Sequence, residues 1–93
     1  MGKVARAHRL KTWPEFFEAI KSGAKTFELR KDDRGFAVGD KLNLLEWEPH
    51  FAGMSGGRYT DRELTVTVTY KLPGGRFGLD PHWCILGFAK DAK

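Results

Sequence analysis

With 93 residues the chain is long enough for one domain with one core, and for no more. A hydrophobic content of 41% with 13% aromatics excludes a disordered tail, and a single cysteine, Cys84, excludes an internal disulfide framework. The 16 Lys and Arg residues against 12 Asp and Glu give a net charge of +4, a weak tilt toward polyanions such as RNA, DNA or nucleotides.

No apolar run approaches the ~20 residues of a membrane helix, and the N-terminus lacks a signal-peptide core. The expectation is therefore a reduced, soluble, cytoplasmic protein.

Val4 to Leu10 reads as a first strand, with His8 and Leu10 on one face and Arg9 on the other. Thr12-Trp13-Pro14-Glu15 then carries a helix start. Thr12 is placed to cap, Glu15 to return the bond three residues later, and Pro14 to occupy the first turn without losing a needed N–H. Phe16 and Ile20, four apart, make an apolar stripe with Phe17 beside it. Gly23 closes the helix. So short a helix does not hold alone in water and must dock on a sheet.

The stretch from Gly23 to Arg30 runs directly into an alternating strand. Phe27 and Leu29 are expected to point inward, and Thr26, Glu28 and Arg30 to share the opposite face with Lys25 at its threshold. Such a face suits a strand that lines a groove for a polar, anionic ligand. Lys31-Asp32-Asp33-Arg34-Gly35 is a charged turn, and Ala37-Val38-Gly39-Asp40 a second that launches a strand from Lys41 to Glu48. Leu42 and Leu44 share one face of that strand and Leu45 and Trp47 the other, which implies a bulge or burial on both sides.

Pro49 to Arg58, with Gly53, Gly56 and Gly57 around Ser55, reads as a mobile loop. Leu64, Val66, Val68, Tyr70 and Leu72 alternate with Thr65, Thr67, Thr69 and Lys71, the cleanest strand in the chain, and Pro73-Gly74-Gly75 stops it. His82 to Phe88 is apolar on both faces and takes a central position. Lys90 to Lys93 read as a frayed end. Trp13, Trp83, Phe16 and Phe17 are assigned to the core. About five strands and one helix in one domain, residues 1–93, favour an α+β, mainly β architecture. A small barrel of five to six strands, closed or nearly so, with a docked N-terminal helix, would remove exposed strand edges.

The candidate site residues carry complementary chemistry. Lys25 supplies a positive charge for phosphate or, with a depressed pKa, a base. Glu28 accepts from the exocyclic amine of a base, as acidic side chains do with cytosine, or pairs with Arg30; the two roles are compatible. Arg30 offers a planar fork for phosphate. Lys11 lies just before the helix N-terminus, where an anion is favoured, and His8 flanks it, either on that wall or as a half-buried structural histidine. Tyr59 is open to stacking a base or packing at a rim, and Trp47 favours packing. His8, His50, His82 and Cys84 lack ligand spacing apart from His82-x-Cys84, so no metal and no cofactor are expected.

His8-x-Leu10-Lys11, the helix, Gly23-x-Lys25-Thr26-x-Glu28-x-Arg30 and Gly39-Asp40 opening a strand resemble the ASCH superfamily of PUA-like domains, over nearly the whole chain. Within that superfamily they are most similar to a small bacterial and phage group of unknown function, whose pattern continues with Asp33-Arg34 and Tyr59-Thr60. The resemblance implies a PUA-like β-barrel with a cleft beside the Lys25–Arg30 motif, binding RNA or a nucleotide or nucleoside. It puts His8, Lys11, Lys25, Glu28, Arg30, Arg34 and Tyr59 in the ligand-binding set. Some members of the superfamily are enzymes that deacylate N4-acetylcytidine or cleave RNA. Lys25 matches the lysine of the deacylating branch, but Glu28 stands where that branch has its threonine, and Thr26 is out of phase with it. The alternative function is thus a small hydrolase with Lys25 and Glu28 as its catalytic pair. A third reading is a phage or regulatory protein that binds a host protein. The chain is expected to act as a monomer.

Overall fold

The computed structural model describes residues 4–50 and 56–91. In chain order it forms β1 (Ala7–Thr12), α1 (Pro14–Ser22), β2 (Phe27–Lys31), β3 (Lys41–Glu48), β4 (Arg58–Pro73) and β5 (Trp83–Lys90). The strands make one sheet in the order β1-β3-β4-β5-β2, with β1 parallel to β3 and every other pair antiparallel. The 16-residue β4 pairs with β3 along its first part and with β5 along its second, so it carries the sheet around a curve. Register shifts between Leu45 and Trp47 and between Val68 and Tyr70 mark irregularities that sharpen the bend. The result is a curled half-barrel with one helix, an α+β, mainly β small barrel.

The alternation of β3, β4 and β5 fills its interior. Leu42 and Leu44 meet Val66 and Val68, with Cys84, Leu86 and Phe88 beside them and Leu10 from β1. Phe17 and Ile20 are the buried residues of α1. The helix is also held by charge: Arg62 on β4 reaches Glu18 on α1 and Glu46 on β3, and its guanidinium lies 4.8 Å from the Phe17 ring centroid.

Several expectations are corrected. The first strand is Ala7–Thr12, not Val4 to Leu10. Thr12 does not cap the helix: it is the last residue of β1, opposite Glu46, and its hydroxyl donates to Leu10 O at 3.4 Å. Pairing with β3 outcompetes the local cap, which passes to Trp13 without a side-chain bond. The buried helix stripe is Phe17 and Ile20, while Phe16, Trp13 and Trp83 are exposed. Lys90 and Asp91 are not frayed: Lys90 Nζ donates to Lys21 O, and Asp91 accepts from Lys41 and Thr67. Half of the expected mobile loop, residues 51–55, and the last two residues lie outside the described residues.

β1 and β2 are the two ends of the sheet, and side chains bridge the seam between them. Arg6 O accepts from Lys41 N at 2.8 Å, so alternation turns the carbonyls of Arg9 and Lys11 to the free edge of β1. Arg34 Nη1 donates to Arg9 O at 3.0 Å, and Arg30 Nη2 donates to Lys11 O. Two arginines thus satisfy edge acceptors that a further strand would take in a fully closed barrel.

Candidate functional site

A cleft of about 640 Å³ opens along this seam, between β1, the start of α1, β2 and the segment that follows it. Local signals deliver the chain to it. Gly23 adopts φ +90°, and its N–H closes on Ile20 O at 3.0 Å. Lys25 N then donates to Ala19 O at 3.0 Å, which sets Lys25 at the mouth as β2 begins.

Glu28 sits in the cleft lining at only 5% exposure. Its Oε1 is 3.3 Å from Lys25 Nζ and its Oε2 is 2.7 Å from Arg30 Nε. A carboxylate is tolerated at this depth because both oxygens have a cationic donor. Lys25 Nζ also donates to Phe27 O at 2.7 Å and lies 5.4 Å and 4.7 Å from the ring centroids of Phe16 and Phe27. The ammonium is therefore fixed by a carboxylate, a carbonyl and two ring faces.

Which face of β2 turns inward is a second correction. Phe27 and Leu29 are 44% and 50% exposed, while Glu28 on the opposite face is buried. β2 is an end strand, and its inner side carries Glu28 held by Lys25 and Arg30 in place of aliphatic side chains. The exposed apolar side chains form the cleft walls. Phe27 and Leu29 join Trp13, Phe16 and Trp83 there, and the rings of Trp13 and Phe16 stack with centroids 6.2 Å apart and 21° between planes. The charged lining is unbalanced: Lys11, Lys25, Arg30, Lys31 and Arg34 stand against Glu28 and Asp33.

The structure brings together Lys11, Lys25, Glu28, Arg30 and Arg34 of the expected set. The ammonium of Lys11 lies 4.4 Å from the Trp47 ring centroid. His8 and Tyr59 are not in the cleft lining. His8 is buried in β1, its Nε2 2.8 Å from Asp40 Oδ2 and its ring 4.7 Å from that of Phe36. Its place is structural, because Asp40 also accepts from the N–H groups of Arg6 and Ala37 and so ties the turn before β3 to β1. Burial pushes the Asp40 carboxyl up, but the His8 bond and the two backbone donors outweigh it and hold the group below its ordinary range. Tyr59 is opposite Trp47 in the β3–β4 pairing and exposed.

Trp13, Phe16 and Trp83 are site residues that sequence reasoning put in the core. The alternation of Cys84, Leu86 and Phe88 was a usable signal: it leaves Trp83 on the outer face of β5. Phe16 is likewise out of phase with Phe17 and Ile20. Burial pushes the Cys84 thiol up, opposite to what a nucleophile needs. Among the described residues no group of three or more His, Cys, Asp or Glu side chains is gathered as metal ligands are.

A family model described as a domain of unknown function, DUF3850, matches residues 7–88. The chain belongs to the DUF3850 family. A curated relative, described as an uncharacterized 12.9 kDa protein in the GpA 3′ region of Escherichia phage P2, is 34% identical over 66 residues. That alignment takes in 71% of this chain and 54% of the relative, so the chain spans about half the relative's length. The DUF3850 match begins at the first residue of β1 and ends within β5. Every cleft-lining residue, from Leu10 to Trp83, falls inside it. The seam and its buried carboxylate thus lie within the matched segment.

Proposed function

We propose that this DUF3850 domain is a small RNA- or nucleotide-binding module of the PUA-like ASCH type, acting as a monomer in the cytoplasm. The ligand's base enters the cleft beside β2. The observation that carries this reading is the Glu28 carboxylate, buried at 5% exposure yet lining a cavity of about 640 Å³. That volume is within the ~300–1,000 Å³ of small-molecule sites. Apolar walls with few fixed polar groups suit a flat heterocycle, which stacks on aromatic faces and is read along its hydrogen-bonding edge. The excess of Lys and Arg around the mouth suits the attached phosphates. No helix among the described residues is long and apolar enough to cross a membrane.

The cleft favours binding over hydrolysis. Lys25 Nζ donates to Phe27 O at 2.7 Å and to Glu28 Oε1 at 3.3 Å, contacts that position it to meet a bound ligand. Titration of labelled single-stranded RNA at two salt concentrations tests the proposal. Affinity is expected to fall as salt rises, and Lys11→Ala with Lys31→Ala to flatten that dependence by about one unit of slope per lost phosphate contact. Absence of binding, or binding indifferent to salt, overturns it.

A further inference from the structure

We infer that the base taken by the cleft is guanine, read through its paired N–H donors by the Glu28 carboxylate. The inference rests on the reading above that the cleft takes a base, and deepens it by naming which one. Glu28, held between Lys25 and Arg30, is a carboxylate that only accepts. Each of its oxygens spends one acceptor position on a protein cation. A carboxylate has about four such positions, so each oxygen keeps one for a ligand.

Going across the site, the polar groups run donor, acceptor, acceptor, donor: Lys25 Nζ, Glu28 Oε1, Glu28 Oε2 and the Arg30 guanidinium. The Lys25 ammonium has three N–H groups and gives two to Phe27 O and Glu28, which leaves one without an oxygen partner, beside the Phe16 and Phe27 rings.

Among the common RNA bases only guanine presents adjacent donors, N1–H and the N2 amino group, with the carbonyl O6 next to them. Its edge therefore matches the site in series, O6 facing a cationic N–H and the two donors facing the two carboxylate oxygens. Adenine and cytosine each offer one amino donor beside a ring-nitrogen acceptor, which sets a lone pair against a carboxylate oxygen. Uracil offers one N–H between two carbonyls, with the same conflict. Buried polar groups left unmatched in this way are what makes a hydrogen-bonding site selective.

The test holds the protein constant and varies the base. Short oligouridines carrying one central guanine, inosine, 1-methylguanine, adenine or cytosine are titrated against the intact chain at fixed salt, with oligouridine alone as reference. The guanine probe is expected to bind roughly tenfold or more tighter than the adenine, cytosine and uridine probes. Inosine, which lacks the amino group, and 1-methylguanine, which lacks N1–H, are each expected to lose most of that advantage. Equal, salt-sensitive affinity for all probes, or a preference for adenine, cytosine or uridine, overturns the guanine assignment and leaves the RNA-binding proposal standing. Failure of every probe to bind overturns both. Glu28→Gln is expected to abolish the guanine preference, and the ligand series decides the matter should that variant fail to fold.

Discussion

Arg30 joins the two ends of the sheet: its Nη2 donates to the carbonyl of Lys11 on β1 while its Nε holds Glu28 on β2 at 2.7 Å. One planar side chain serves the fold and the cleft together. It satisfies an acceptor on the free edge of β1 and fixes one oxygen of a buried carboxylate. A lysine lacks the planar guanidinium fork whose separate nitrogens meet these two partners.

Arg30→Ala is therefore expected to cost about 2–4 kcal/mol, since it leaves Glu28 buried with one cation in place of two. Arg30→Lys is expected to recover only part of this. Urea unfolding followed by tryptophan fluorescence checks both. An Arg30→Ala variant as stable as the parent would show that the seam does not depend on this bridge.

Acid is expected to destabilise the domain through its buried carboxylates. Asp40 is held below its ordinary value of 3.8, where the His8 bond and two backbone N–H groups overcome burial. Glu46 is held below 4.5, chiefly by its hydrogen bonds to Arg62. A depressed folded-state pKa contributes stability that is fully present above the unfolded value and lost as pH falls through the folded one. Stability should hold from neutrality to about pH 5 and fall below roughly pH 4.5. Asp40→Asn should flatten that fall while lowering stability at pH 7. Thermal unfolding across pH 3–7 distinguishes this from an acid-insensitive fold.

How much of this was legible in the sequence depended on whether the deciding interaction was local. The stop at Gly23, the β3 boundaries Lys41 and Glu48 and the alternation of β4 as far as Val68 rest on single residues or on period, and the structure keeps them, whereas past the register shift after Val68 the expected inward Tyr70 is exposed. Thr12 has the right local chemistry for a cap, but its backbone pairs with β3, and a partner more than thirty residues away cannot be seen from Thr12 itself. Alternation in β2 showed that Phe27 and Leu29 oppose Glu28 and Arg30. It did not show which side is inside, because that depends on the strand's place at the seam. His8 and Asp40 look like separate polar residues until β1 lies beside β3. Lys25, Glu28 and Arg30 were legible as a group because they are close in sequence, the last two on β2 and Lys25 just before it.

Arg62 fastens α1 to the sheet by bonds to Glu18 and Glu46 and by its position over Phe17. Glu46 is buried, so Arg62→Ala strands a carboxylate that keeps only the Thr60 hydroxyl, which donates to it at 2.6 Å. The expected cost is about 1–3 kcal/mol, read by urea unfolding. Glu18→Ala removes the more exposed partner and should cost under about 1 kcal/mol. Equal effects of the two substitutions would show that burial of Glu46 does not set the strength of this clasp.

Trp83 lines the cleft from the outer face of β5. It is 38% exposed, and its neighbour Cys84 carries the buried packing of β5. If a base stacks in the cleft, Trp83→Ala should weaken binding of single-stranded RNA by about 1–3 kcal/mol. Stability should change less than on truncating a buried aromatic such as Phe17, where about 3–5 kcal/mol is typical. The comparison needs two measurements on each variant, an RNA titration and a urea unfolding curve. A Trp83→Ala domain that unfolds early yet binds RNA unchanged would place the indole in the core's service and remove it from the ligand wall. Weakened binding with stability close to the parent would support the stacking role.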